Sequence, residues 1–243
     1  MKKKFDKIFD KLSNLSVLLI GEAILDEYYF VNPIGTASKD PIISTQFQKK
    51  ERYLGGIFAP ARHLSNFVKK VHIITLLGEY KRNEMYLKKG LDKENITYDF
   101  FTKIKSPTII KRRYLEPHHF RKLFKMEYNN TNPISRELTE KIKKRIGEII
   151  PNYDLIIVSD FGQGFINSEL IDYFSKQNKF IAINVQTNSS NFGFNIAMKY
   201  PKADFLSLNE MELRIIYQNK NDEIYKLLER LYAENKFSSI LLT

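Results

Sequence analysis

The chain has 243 residues, 43% hydrophobic and 28% charged, enough apolar material for a domain-sized core, and its lack of cysteine excludes disulfides, a thiol nucleophile and thiolate metal sites. Its 39 basic and 28 acidic side chains leave a formal net charge of +11, spread from Lys2 to Lys236 with no basic block interleaved with aromatics, so no nucleic-acid partner is expected. No apolar run approaches the roughly 20 residues of a membrane span and the start has no signal-type segment, so a cytoplasmic location with no membrane partner is expected.

Lys2–Leu12 reads as an amphipathic helix, with Phe5, Ile8, Phe9 and Leu12 at helical spacing, expected to dock on a sheet. Ser16–Gly21 is a nearly continuous apolar run ended by glycine, the pattern of a strand buried on both faces, whose carboxyl end faces a ligand crevice. Glu22 and Asp26 follow at its mouth. From residue 28 to about residue 53 the pattern breaks into short β-type pieces, Tyr28–Val31 and Ile42–Phe47, interrupted by Asn32-Pro33, Gly35 and Asp40-Pro41, and predicts a small β insertion. Gly55-Gly56 then lead into a helix over Phe58–Val68, a strand over Val71–Leu77, a helix over Lys81–Lys89 and a strand over Ile96–Phe101.

Thr108–Leu115 and His119–Tyr128 flank the Glu116-Pro117-His118 turn and predict a hairpin bordering the cleft. Ser135 is placed to cap a helix over Arg136–Ile150, with Pro151 stopping it. The strand Leu155–Val158 ends in Asp160, Gly162 and Gly164. Asn167 caps a helix through Ser175, Phe180–Asn184 and Phe205–Leu208 are strands, and the latter runs into Asn209–Glu212 and a helix. A helix over Asp222–Ala233 and a strand over Ser238–Leu242 follow. No helix follows that last strand to cover its part of the sheet, so an incomplete or shortened fold is expected. The reading is one α/β domain over residues 1–243 with a central, mostly parallel sheet.

Acidic groups and glycines recur after consecutive buried strands: Asp26, Gly55-Gly56, Asp160 with Gly162 and Gly164, and Asn209 with Glu212. In an open α/β sheet such positions converge outside the strand ends, where short polar groups bind hydroxyls and glycines let backbone amides approach an oxygen-rich ligand. Asn209 and Glu212, one helical turn apart, could hold a hydrated magnesium ion and its phosphate. Turn geometry for the glycines, solvation for Glu22 and Asp26, and plain helix capping for Asn209 remain open alternatives. The four histidines form no metal-ligand spacing, and neither a phosphate-loop lysine motif nor a dinucleotide glycine fingerprint is present.

In order and spacing these segments resemble the ribokinase-like carbohydrate kinases, closest to the heptose-phosphate kinase branch, over almost the whole chain. Val17–Asp26 is similar to the family's opening strand and sugar-binding aspartate, Ser38–Ile42 to the start of its lid, Glu51–Gly56 to its double-glycine substrate motif, Val158–Gly164 to its strand-end motif and Asn209–Glu212 to its Asn-x-x-Glu motif. The resemblance implies a three-layer α/β sandwich with a small β lid, ATP and Mg2+ as cofactors, and a sugar or sugar-phosphate substrate. It assigns Asp26, Gly55, Gly56 and Asp160 to the substrate, Asn184, Asn209 and Glu212 to the nucleotide, and Glu212 to the metal. It also implies a homodimer through the lid and a nucleotidyltransferase partner.

Three departures stand out. Ile57 and Phe58 follow the double glycine where the branch has an asparagine, Gln163 stands where a lysine is common, and Asn184 stands near a usual aspartate. The Gly-Ala-Gly-Asp motif that supplies the anion hole and catalytic base is absent, so no catalytic residue is assigned. The complete protein is expected to phosphorylate a sugar or sugar phosphate and this chain alone to be inactive. A sugar-binding, regulatory or structural subunit is the alternative.

Overall fold

Continuous apolar runs and capped amphipathic helices alternate along the chain, and the computed structural model, which describes residues 2–119, 121–234 and 236–243, folds them into two sheets. The order is α1 (Lys2–Leu12), β1 (Ser16–Gly21), β2 (Ala23–Thr36), β3 (Ile43–Gly56), α2 (Phe58–Leu64), β4 (Lys70–Tyr80), α3 (Glu84–Gly90) and β5 (Ile96–Pro107). It continues with β6 (Ile109–Glu116), β7 (Arg121–Tyr128), α4 (Arg136–Ile149), β8 (Leu155–Asp160), α5 (Ser168–Ser175), β9 (Phe180–Val185), β10 (Ala203–Leu208), α6 (Glu210–Tyr217), α7 (Ile224–Ala233) and β11 (Phe237–Leu242).

The large sheet has the order β11-β10-β9-β8-β1-β4-β5, with every pair parallel. Alternate residues of β1 point to opposite faces, and both faces are covered. Leu18 and Ile20 join Ile142 and Ile146 of α4, Leu170 and Phe174 of α5, Leu213 of α6 and Leu227 of α7. Val17 and Leu19 join Phe58 and Ala61 of α2 and Leu87 of α3. The result is the expected three-layer α/β sandwich. The strand order reverses between β1 and β8, which opens a crevice at their carboxyl ends.

Local signals set the helix ends. Ser135 accepts a hydrogen bond from Leu138 N, Asn167 from Leu170 N, and Asn209 forms a reciprocal capping box with Glu212. Pro151 turns the end of α4 into a single 3-10 turn over Ile150–Asn152. The helix expected from Lys81 starts at Glu84 instead, because Lys81 and Asn83 take left-handed conformations that turn the chain first.

The second sheet has the order β3-β2-β6-β7 and is larger than the short pieces the sequence predicts. β2 and β3 are 14 residues each and pair antiparallel along their whole length; the breaks expected at Pro33 and Gly35 are register shifts within the ribbon. The hairpin β6/β7 forms as expected and adds to it through a parallel pairing of β6 with β2. One element departs from expectation: α1 does not bury its stripe on a sheet, and Phe5, Ile8 and Phe9 join neither core.

Candidate functional site

The cleft has a floor at the carboxyl ends of β1 and β8 and a lid formed by the second sheet. In the floor, Glu22 leaves β1 and spans the crevice: Phe161 N donates to its Oε2 at 2.9 Å and Gln163 N to its Oε1 at 3.1 Å. The side chain is buried, and that burial, together with the neighbouring Asp160 carboxylate, pushes its pKa up to about 7. Solvation, the alternative for Glu22, does not hold: the carboxylate is buried and clamps the turn after β8 through two backbone amides.

Asp160 is fully buried. Gly162 N donates to its Oδ1 at 2.9 Å, Tyr200 OH donates to its Oδ2 at 2.8 Å, and Lys199 forms an ion pair with the same oxygen. Burial, reinforced by this carboxylate, drives the Tyr200 hydroxyl pKa well above its ordinary value, so Tyr200 stays a donor. Asp160 therefore shapes the strand-end turn from below and presents no free oxygen to a ligand. Gln163, also buried, accepts from Asn129 Nδ2 at 2.8 Å and donates to Ser190 Oγ at 2.9 Å, joining the lid's β7 end to the loop after β9.

That loop carries residues the sequence reading missed. Asn188 and Asn191 both donate to the Phe161 carbonyl, at 2.7 and 2.8 Å, and Asn195 donates to the Asp160 and Gln186 carbonyls. Four asparagines in the twelve residues from Asn184 to Asn195 were the available signal, since an amide is the side chain that clamps backbone from both sides.

The lid meets the floor at Asp26, Gly55 and Gly56. A Cβ on Gly55 would lie 2.0 Å from Asp26 Oδ2, so the glycine makes room for the carboxylate. Gly56 has φ +56°, and a Cβ there would lie 2.2 Å from the Glu22 carbonyl oxygen. Asp26 Oδ1 is paired with Arg113, which leaves Oδ2 to face the cleft beside Gly55. Lys111, in register with Asp26 on one side and Glu127 on the other, is 9% exposed and rests its ammonium 5.5 Å from the Phe161 ring centre. Burial lowers its pKa against the pull of the Glu127 and Asp26 carboxylates. Lys125 lies 2.6 Å from Glu127 Oε1 and donates to Ser189 Oγ of the floor loop at 3.2 Å.

On the far side of the floor, Glu212 accepts from Thr187 N at 3.0 Å through Oε1 and from Asn209 N at 2.9 Å through Oε2. Asn184 donates to the Ser207 carbonyl at 3.1 Å. This arrangement does not fit a directly held metal ion. The one carboxylate present is buried with both oxygens committed to backbone amides, and no group of three His, Asp or Glu side chains among the described residues is placed to bind an ion. Glu212 ties the loop after β9 to the start of α6. A groove of about 820 Å3, walled by Phe192, Met211, Ile215 and Gln218, runs along the outer face of that helix.

The expected site residues thus form one contiguous region. Gly56 touches Glu22, Glu22 bonds the turn after Asp160, and the asparagine loop links that turn to Glu212 through Thr187. The small histidine turn stands apart: His118 and His119 amides cap the Glu116 carboxylate at the tip of the β6/β7 hairpin.

No family model matches the chain. It is 25% identical over 240 residues to the bifunctional protein HldE of Blochmanniella pennsylvanica, covering 97% of this chain and 48% of that protein. The bifunctional protein HldE of Histophilus somni is 26% identical over 241 residues, covering 96% and 47%. The chain spans about half the length of the curated relatives it matches. Among solved structures, phosphofructokinase-2 from Escherichia coli in complex with fructose-6-phosphate superposes with a TM-score of 0.68 at 13% identity, over 94% of this chain and 73% of that one. A carbohydrate kinase from Agrobacterium tumefaciens gives 0.62 at 16% identity, over 94% and 70%. The chain has the ribokinase-like α/β sandwich fold of these carbohydrate kinases and is a low-identity relative of HldE-type proteins.

Proposed function

We propose that this chain is the acceptor-binding body of a sugar kinase, one that transfers a phosphate from ATP to a sugar or sugar phosphate with Mg2+, and that by itself it binds the acceptor with little or no turnover. The observation that carries this reading is Asp26 Oδ2, held at the cleft by Arg113 and given space by Gly55, with the Lys111 ammonium in the adjacent register position. A carboxylate so placed accepts hydroxyl hydrogens, and a buried ammonium beside it favours an acceptor that carries an anionic group.

Phosphoryl transfer also requires a base at the attacking hydroxyl. Glu22 and Glu212 are occupied by backbone amides and Asp160 by Tyr200, Lys199 and Gly162, so no carboxylate of the floor is free for that task. Magnesium, when bound with the nucleotide, supplies charge neutralisation on the phosphate oxygens. The chain's own contribution is positional: Glu212 holds the loop after β9, and the groove on α6 offers an apolar wall to a nucleotide base. The segments resembling the heptose-phosphate kinase branch make a heptose-related sugar phosphate the first acceptor to try and a nucleotidyltransferase unit the first partner. The outer lid face, where Tyr114 stacks on Phe124 and Tyr29 packs against Tyr114 and edge-on against Phe47, with Phe47 58% and Phe124 53% exposed, is the surface for a homodimer.

The engaged carboxylates equally favour a second reading, a sugar-binding regulatory subunit, and turnover by the complete protein separates the two. Calorimetric titration with a panel of sugars and sugar phosphates should detect binding that Asp26→Ala weakens by about 5- to 100-fold, the loss of a charge-assisted hydrogen bond. Binding unchanged in Asp26→Ala rejects the acceptor site. Rapid ATP-dependent phosphorylation by the chain alone rejects the claim that it lacks a base.

A further inference from the structure

The uncovered face of α1 carries an inference independent of the kinase reading. Phe5, Ile8 and Phe9 lie three and four positions apart on one stripe and are 54%, 46% and 49% exposed. Phe9 stacks on Phe67, itself 37% exposed, at a ring separation of 6.1 Å, so helix and body share one apolar patch. Globular proteins cover such a stripe with their own core. Here both cores lie elsewhere.

Charge decides what chemistry fits the patch. Lys2–Leu12 carries five lysines against two aspartates. At 100° per residue, Lys11 falls on one flank of the stripe, about 110° from its centre, whereas Lys7 falls about 150° away on the opposite face; Lys11 is exposed, as are Arg62 and Lys69 near the Phe67 end. A second copy of this chain would bring like charge onto like charge, whereas an anionic lipid surface complements both the apolar stripe and its basic border. Location agrees with this. The Leu15 carbonyl after α1 accepts from Lys69 N and Lys70 N at the amino ends of β1 and β4, so the patch lies at the end of the sheet opposite the cleft.

We propose that α1 is a peripheral docking helix that lays Phe5, Ile8 and Phe9 into the headgroup region of an anionic bilayer, with Lys11, Arg62 and Lys69 on the lipid phosphates and the cleft turned to the aqueous side. This departs from the expectation of no membrane partner. It is surface attachment only, since no helix among the described residues is long and apolar enough to cross a membrane. Three large side chains and a few basic residues give weak, reversible binding.

The test is co-sedimentation of the full chain with phosphatidylglycerol-rich vesicles and with phosphatidylcholine vesicles, at low and high salt. Binding to the anionic vesicles alone, weakened by salt, is expected. Phe5→Ser/Phe9→Ser and Lys11→Glu/Lys69→Glu should each reduce it by about tenfold or more, with circular dichroism and melting temperature unchanged because these residues are outside both cores. Absence of binding to anionic vesicles, equal binding to neutral ones, or full binding by either folded double variant overturns the proposal. So does a lipid-free dimer that depends on the α1 stripe.

Discussion

The floor of the cleft and the lid above it are both rich in charge but hold it differently. In the floor, Glu22 and Asp160 are buried and every carboxylate oxygen accepts a hydrogen bond from inside the chain. In the lid, one layer is buried and self-satisfied: burial would raise the pKa of Glu27, but hydrogen bonds from Arg112 and Lys50 outweigh it and hold the carboxyl below its ordinary range. The other layer, Asp26, Arg113 and Lys125 with the buried Lys111 beside Asp26, faces the cleft, and the partners of its exposed members are ones a ligand can replace or join. Buried charge that is fully paired fixes a shape, whereas charge at a wet boundary stays available for binding. Chemistry in this molecule therefore belongs to the lid side, and architecture to the floor.

The largest effect that could break this contrast is Asp160→Ala. It strands the Lys199 ammonium and Tyr200 hydroxyl around an empty acceptor, and a stability loss of about 3–5 kcal/mol in urea unfolding is expected. A loss below about 1 kcal/mol would mean that the floor is not held by this carboxylate. Next is Gly56→Ala, which drives a Cβ into the Glu22 carbonyl at a positive φ and should cost about 2–3 kcal/mol by the same measurement.

Glu22→Gln sharpens the comparison through pH. With its folded pKa near 7 and an unfolded value near 4.5, the folded chain holds a proton that the unfolded chain releases. The contribution of Glu22 is therefore most favourable below about pH 4.5 and declines as pH rises to about 7, by up to about 3 kcal/mol. Urea midpoints at about pH 5 and about pH 8 should show Glu22→Gln gaining on the wild type as pH rises; a constant difference would place Glu22 in a wetter site than the floor. The smallest effect is in the lid: Phe124→Ser should change unfolding by no more than about 0.5 kcal/mol while shifting a dimer toward monomer in size-exclusion chromatography.

Several elements were legible in sequence because their causes are local. The run Ser16–Gly21 announces a strand buried on both faces, and Ser135, Asn167 and Asn209 announce helix starts through side chains that reach three residues onward. The lid was legible only in part. Pro33 and Gly35 read as interruptions, yet a ribbon tolerates them as register shifts when its partner strand continues past them.

For the candidate site, the residue types of Asp26, Gly55 and Gly56 could be read directly, but their meeting comes from the antiparallel pairing of β2 with β3, which sets Gly55 and Gly56 beside the first residues of β2. Roles were harder. Asp160 and Glu212 look like ligand-facing acids in sequence, and burial turns them into fixtures of loops. By itself, the order of apolar runs, caps and turn residues determined an α/β sandwich with a β insertion. Only the tertiary structure decided that Glu22 would clamp a turn 139 residues away, that Arg112 would reach Glu27 across 85 residues, and that α1 would keep its stripe in solvent. Those outcomes depend on which groups lose water together, and that is settled by contacts distant in sequence.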